Sequence, residues 1–221
     1  MIELTDVKKS FKDPATGNPV RVIDIPSFSI GHGIHAGLRG PSGTGKTTLL
    51  HLISGMTTPD SGTIRNLGTD ISGLSEFARD RFRANHIGYI FQSFNLLDGF
   101  SALENVMLGM MFADKGTDRK KAEHLLKVVG LQDRMHYKPS QLSVGQQQRV
   151  CIARAAANDP EILLADEPTG SLDPKTSDEV LELLFEVSKD KILLVVSHEE
   201  EVLNRFPQKM DLSEINKGAL V

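Results

Sequence analysis

Cysteine is almost missing from this chain: Cys151 is the only one among 221 residues. No internal disulfide can form, which suits a reducing compartment. Long apolar runs are missing too. No window approaches the roughly 18 consecutive apolar residues that a membrane span needs, so any membrane role has to run through a partner. A basic excess is absent, because the formal net charge is −4. That argues against a general nucleic-acid binder, which carries a positive field. Met1 to Asp6 hold acidic side chains and no apolar stretch, so no secretory signal is expected there. No low-complexity tract or internal repeat is evident. What remains is ordinary for a globular protein, 39% hydrophobic and 24% charged. The length suits one large domain, or one domain with a subdomain.

The pattern along the chain is α/β. Ile2–Val7, Val20–Ile25 and Phe28–Ile30 are short β-like runs, separated by the turn formers Asp13 to Pro19. They predict an antiparallel sheet. Ile34–Arg39 is a weaker strand, since His35 and Arg39 sit where a buried strand prefers aliphatic residues. Ser75–Arg83, Ser101–Met111 and Arg119–Val129 are helical by period, with Gly130 as a stop. Ile87–Phe91 is β-rich. Ile162–Ala165 and Ile192–Val196 are continuous apolar runs, the pattern of strands buried on both faces. The amphipathic helix Asp178–Ser188 between them makes a βαβ unit. The helix-rich block from about 95 to 158 interrupts this pattern and is expected to form a separate lobe.

Gly40-Pro41-Ser42-Gly43-Thr44-Gly45-Lys46-Thr47 matches G-x-x-x-x-G-K-[ST] in full. Glycines let the backbone approach a polyphosphate closely. The apolar run Leu49 to Ile53 reads as a helix whose free N–H groups would face the phosphates. Lys46 would reach the β/γ-phosphates and the Thr47 hydroxyl would ligate Mg²⁺. Thr48 joins the phosphate-binding set. The loop alone implies a bound nucleoside triphosphate. It does not separate kinase, GTPase, motor and transport ATPase.

A second motif narrows the class. Leu142-Ser143-Val144-Gly145-Gln146-Gln147-Gln148-Arg149, followed by the helical run Val150–Ala157, resembles the signature of ABC-type ATPases, usually L-S-G-G-Q-x-Q-R. Serine and glycine at a helix start place donors before an anion. The resemblance spans Ile2 to about Val202 and implies the following roles. Ser143, Gly145 and Gln146 would meet the γ-phosphate held by the other subunit, so that two copies sandwich two ATP molecules head to tail. Val144 departs from the family's glycine and could crowd the phosphate. Asp166, ending the strand Ile162–Ala165, would hold Mg²⁺. Glu167 would orient and deprotonate the attacking water. Gln92 would touch Mg²⁺ or that water and move with the helical lobe. Ser171-Leu172-Asp173 matches the D-loop, with Asp173 near the dimer interface. His198 would act as the switch histidine, and Phe11 would stack on adenine. No N-K-x-D guanine-reading motif is evident, since Asn216-Lys217-Gly218 is followed by Ala219.

The fold so implied is a P-loop NTPase core of RecA-like type, with an N-terminal antiparallel β subdomain and an inserted α-helical subdomain. Residues 1–221 would form one ABC ATPase domain. Segments 1–94 and 159–221 make the core, and 95–158 the helical subdomain carrying the signature. Phe91 to Leu97, Ser101 to Val106 and Leu164 to Asp173 most resemble the lipoprotein-releasing and macrolide-export branch. That likeness implies an ATPase on the cytoplasmic face of the inner membrane, paired with a second copy of itself and a four-span permease. Leu97, Phe100 and Met107 are the expected permease contacts. Two other readings stay open. A soluble ABC ATPase acting on DNA or ribosomes would carry a coiled-coil insertion or two fused units, whereas only 97 positions separate Lys46 from Ser143. A weakly hydrolysing regulatory subunit rests on Val144 alone.

Overall fold

The computed structural model describes residues 1–218; the last three residues of the expected core segment, 219–221, lie outside the described residues. Two sheets organise the chain. The first is antiparallel, in the order β2-β1-β4-β5. It comprises β1 (Ile2–Lys12), β2 (Pro19–Ile30), β4 (Ser61–Asn66) and β5 (Thr69–Asp70). The two runs expected at 20–25 and 28–30 form this single strand β2. Pro26 falls between them, and it is tolerated because β2 is an edge strand and its exposed side needs no N–H. Opposite it, Asp6 has φ 51°, at the point where β1 shifts register against β4 between Thr5 and Lys8.

The second sheet is parallel, in the order β6-β7-β8-β3-β9. Its strands are β3 (His35–Arg39), β6 (Ile87–Ile90), β7 (Ile162–Asp166), β8 (Ile192–Ser197) and β9 (Gln208–Asp211). The polar ends of β3 find partners. His35 stacks on Phe185 with ring centroids 5.7 Å apart and meets the Ser188 carbonyl at 3.0 Å. Arg39 emerges at the exposed end and pairs with Glu200 at 3.2 Å.

Alternation along β7 and β8 sends side chains to two hydrophobic clusters. Ile162, Leu164, Ile192, Leu194 and Val196 face α1 (Lys46–Ile53) and the antiparallel sheet. Leu163, Ala165, Leu193 and Val195 face the other way. There they meet α3 (Ala102–Leu108), α4 (Arg119–Val128), α5 (Val144–Ala155) and α6 (Pro174–Val187). The interior of the 95–158 block is therefore continuous with one face of the parallel sheet. On the other side of β6 lies α2 (Glu76–His86), capped by Ser75. After β8 come α7 (Glu200–Leu203) and, after β9, α8 (Leu212–Ile215).

The parallel arrangement puts the C-terminal ends of β3, β6, β7 and β8 along one edge. That is the edge where ligands of open α/β sheets bind. The phosphate loop, Gln92, Asp166–Glu167 and His198 all follow from it.

Candidate functional site: a nucleotide cleft

At the end of β3 the chain turns into the phosphate loop and then α1. Gly45, the residue before the helix, has φ 95°, a left-handed value open to glycine. A Cβ there would also press on Ile23 and Val22 of β2 at 3.0 Å. Inside the loop, Lys46 Nζ donates to the carbonyls of Gly40 at 2.6 Å and Pro41 at 3.1 Å. The same ammonium stands 3.5 Å from Glu167 Oε1. Thr44 is buried and its hydroxyl donates to Pro41 O.

A cleft of about 1050 Å³ opens at this edge. Pro41, Ser42, Gly43, Gly45, Lys46, Thr47, Thr48, Gln92, Asp166, Glu167, His198 and Phe11 all line it. Phe11 stands at the far end of β1, 45% exposed, with Lys9 Nζ 5.5 Å from its ring centroid. Gly40 and Thr44 lie behind the lining as the loop's internal support.

Glu167 follows β7 in a left-handed conformation, φ 46°. Non-glycine residues are held that way at a cost, and such positions cluster at active sites. Its Oε2 accepts from the His198 backbone N–H at 3.3 Å and lies 2.9 Å from His198 Nδ1. Asp166 Oδ2 accepts from the Thr47 hydroxyl at 2.7 Å. Burial pushes the Asp166 carboxyl above its ordinary value; the Thr47 bond opposes this and the Glu167 charge adds to it.

The donors near Asp166 are a carboxylate, the Thr47 hydroxyl and the Gln92 amide, all lining one cleft. Hard oxygen ligands of this kind, with few from protein and the rest from phosphate or water, fit Mg²⁺. Among the described residues no group of three or more His, Cys, Asp or Glu could hold a metal by itself. Any cation here therefore depends on the mixed set and on a phosphate ligand.

Ser143, Gly145, Gln146 and Asp173 do not line this cleft. Ser143 caps α5, accepting from the Gln146 N–H at 3.3 Å while the Gln146 side chain accepts from the Ser143 N–H at 3.0 Å. This reciprocal capping box starts the helix at Val144, so Ser143 and Gly145 sit at a helix start as expected, and α5 runs on from the signature through the apolar run after Val150. Val144 is an ordinary first-turn helical residue, 44% exposed. The position needs no glycine backbone, so the departure from the family pattern leaves the helix start intact. Asp173 caps α6, binding the Thr176 N–H at 3.1 Å and the Thr176 hydroxyl at 2.6 Å.

Two residues near the site escape a reading of motifs. Asn216 appears in the sequence only as a failed guanine motif. Its Nδ2 donates to Val22 O at 2.8 Å and Thr44 O at 3.4 Å, and its Oδ1 accepts from the Asp24 N–H at 2.7 Å. It ties the segment after α8 to β2 and to the phosphate loop. Asn105 is fully buried and holds the turn at 97–101, through Leu97 N–H at 2.8 Å and three carbonyls. That turn exposes Leu97 and Phe100, whereas Met107 packs against the lobe interior.

A family profile described as ABC transporter matches residues 23–170. The chain is 40% identical to the lipoprotein-releasing system ATP-binding protein LolD of Nitrobacter hamburgensis, over 96% of this chain and 92% of that protein. It is 44% identical to the methionine import ATP-binding protein MetN 2 of Enterococcus faecalis, over 97% of this chain and 62% of that protein. Among solved structures, the ATP-binding cassette MJ0796, in a dimeric post-hydrolysis state bound to ADP and Pi, matches with a TM-score of 0.88. Identity there is 35%, covering 96% of this chain and 94% of that one. The chain belongs to the ABC transporter family and is an ATPase, the ATP-binding subunit of a transporter.

Proposed function

We propose that two copies of this chain close head to tail around two MgATP and drive a separate four-span permease. The substrate class would be a lipoprotein, a lipid or a drug-like molecule, extracted or expelled from the far side of the inner membrane. The observation that carries the reading is the division of the motifs. One cleft gathers Lys46, Thr47, Gln92, Asp166, Glu167 and His198, while Ser143, Gly145, Gln146 and Asp173 stay outside it. A site with its second half on another surface needs a second copy to complete it, and the MJ0796 cassette is dimeric.

The chemistry is in-line attack of water on the γ-phosphate, which breaks the bond from the γ-phosphorus to the bridging oxygen and releases ADP and inorganic phosphate. Glu167 takes the water's proton. Its carboxylate is already held by the His198 backbone and ring. Lys46 leaves its loop carbonyls for the phosphate oxygens and, with Ser143 and Gly145 of a second copy, stabilises the charge that develops. Phe11 offers a face to the base. Thr47, Asp166 and Gln92 would hold Mg²⁺, whose charge would offset that of the phosphates.

The permease's seat in this reading is an apolar groove of about 890 Å³ between α2 and α3, and none of the expected contacts Leu97, Phe100 and Met107 lines it. Met56, Phe77, Phe91, Leu108 and Phe112 line it. Phe77 and Phe112 are 77% and 79% exposed, a large apolar surface for a chain to leave uncovered. Among the described residues no helix is long and apolar enough to cross a membrane. The branch reading draws on the lipoprotein-releasing relative, and the methionine-import relative makes the direction a matter for experiment.

The test is a pull-down. Tagged Glu167→Gln is added to native membranes with ATP, and the co-purifying proteins are identified. A four-span permease with a large extracytoplasmic domain is expected. A many-span permease would move the chain to an importer or another exporter class, and no membrane protein at all would overturn the reading.

A further inference from the structure

Arg154 stands near the end of α5. Among the described residues it has no carboxylate partner, unlike Arg149 one turn earlier, which pairs with Glu179 at 2.5 Å. Burial makes its charge costly, lowering its proton affinity below the ordinary arginine value. Arg154 is half-buried at the groove wall, and a partly desolvated cation without an anion is retained where something else holds it.

Here the holder is backbone. Arg154 Nη1 donates to Asn95 O at 2.5 Å and Nη2 to Phe94 O at 2.6 Å. Cys151 Sγ, one turn earlier on the same helix, donates to the same Phe94 oxygen at 3.2 Å. Burial pushes that thiol up to about 12, so it remains a protonated donor. The two carbonyls belong to the most strained stretch of the loop. Phe94 has φ 23° and Asn95 φ 50°. Side-chain-bearing residues adopt such values at a cost, and two in succession need support from outside.

The turn they form has two neighbours of consequence. Two residues before Phe94 is Gln92, on the wall of the nucleotide cleft. Phe91, just ahead of it, lines the apolar groove, and so does Arg154 itself. At its other end, α5 begins with Ser143 and Val144. Twelve helical residues span about 18 Å at the standard rise. One rigid element thus has the signature at its start and the anchor of the Gln92 loop at its end.

We propose that Arg154 is a positioning residue: its two-pronged grip on Phe94 O and Asn95 O holds the left-handed turn, fixes Gln92 at the cleft and passes displacement of the signature helix to it. The inference rests on the role given above to Gln92. Arginine suits the task because its planar fork can meet two oxygens at once, whereas a lysine ammonium meets them as a single point.

The test uses the full chain with Arg154→Lys and Arg154→Ala, the lysine variant keeping charge and stem should the alanine variant fold poorly. Amide hydrogen exchange is measured first, because it needs no turnover. Both variants should exchange faster at residues 93–97, while α1 and the body of α5 keep their protection. Steady-state hydrolysis should show kcat lowered roughly tenfold with KM for ATP little changed, a size usual for residues acting through others. Combined with Gln92→Ala, Arg154→Lys should add little further loss, since both changes act on one element. Unchanged exchange at 93–97 would overturn the grip. Multiplying losses in the double variant would overturn the link to Gln92. Wild-type hydrolysis by Gln92→Ala alone would overturn that residue's proposed role, and the exchange result would still decide the grip by itself.

Discussion

Thr176 stands against Gly145: a Cβ built on Gly145 would lie 2.5 Å from Thr176 Cγ2. Thr176 cannot swing aside freely, because its hydroxyl is held by Asp173 at 2.6 Å. The signature glycine and the D-loop aspartate are therefore joined through one threonine. Gly145→Ala should destabilise the chain by about 1–3 kcal/mol, the usual cost of overpacking, and should slow hydrolysis. Thr176→Ser removes the methyl and keeps the hydroxyl, so Gly145→Ala with Thr176→Ser should recover most of that stability. Denaturation midpoints of the two single variants and the double variant decide it. A double variant no more stable than Gly145→Ala would show that another clash dominates.

Asp166 carries a pH signature. Its folded-state proton affinity is raised, chiefly by burial, so the native state holds the proton more tightly than the unfolded chain. Stability from this group is complete below the unfolded aspartate value of about 3.9 and is lost as pH rises through the higher folded value. Asp166→Asn removes that loss. Without nucleotide or divalent metal, the variant should melt above the wild type at pH 7, and the gap should close as the pH falls toward about 4. A gap that widens on acidification would contradict the burial argument. The same variant should bind Mg²⁺ with nucleotide poorly.

The apolar groove makes its own prediction. Phe112 is 79% exposed and Phe100 41% exposed, and neither lines the nucleotide cleft. Phe112→Asp and Phe100→Asp should each leave hydrolysis by the isolated chain within about twofold, since exposed substitutions rarely disturb a distant site. Phe112→Asp, inside the groove, should lose the permease in co-purification, and Phe100→Asp should weaken it. Undiminished recovery of the permease with Phe112→Asp would remove the groove as its seat.

How much of this was legible in the residues depends on the kind of information involved. The phosphate loop, the acidic pair Asp166-Glu167 at its strand end and the switch histidine His198 are contiguous strings after apolar strands, and the parallel sheet gathers their ends on one edge. Strand boundaries were harder. Pro26 reads as a break, yet an edge strand absorbs it. The start of α5 was legible at Ser143, where Ser143 and Gln146 spell a capping box, even though the polar run Gln146 to Gln148 blurs the helical period. Asn216, Asn105 and Thr176 act through carbonyls and methyls far apart in sequence, which no local pattern records. Arg154 did leave a trace: it is a lone charge in the apolar run Cys151-Ile152-Ala153-Arg154-Ala155-Ala156-Ala157. Such a charge asks for a partner, but only the fold shows that the partner is a strained turn.

The central claim is that Glu167, held by His198, is the base that activates water. It is tested most directly by comparing MgATP turnover and solution mass of Glu167→Gln with those of the wild type. The variant should bind ATP normally, turn over on the order of 10²-fold or more slowly, the size of a lost general base, and accumulate as an ATP-bound dimer. Wild-type turnover by Glu167→Gln would contradict the account and take the base away from Glu167.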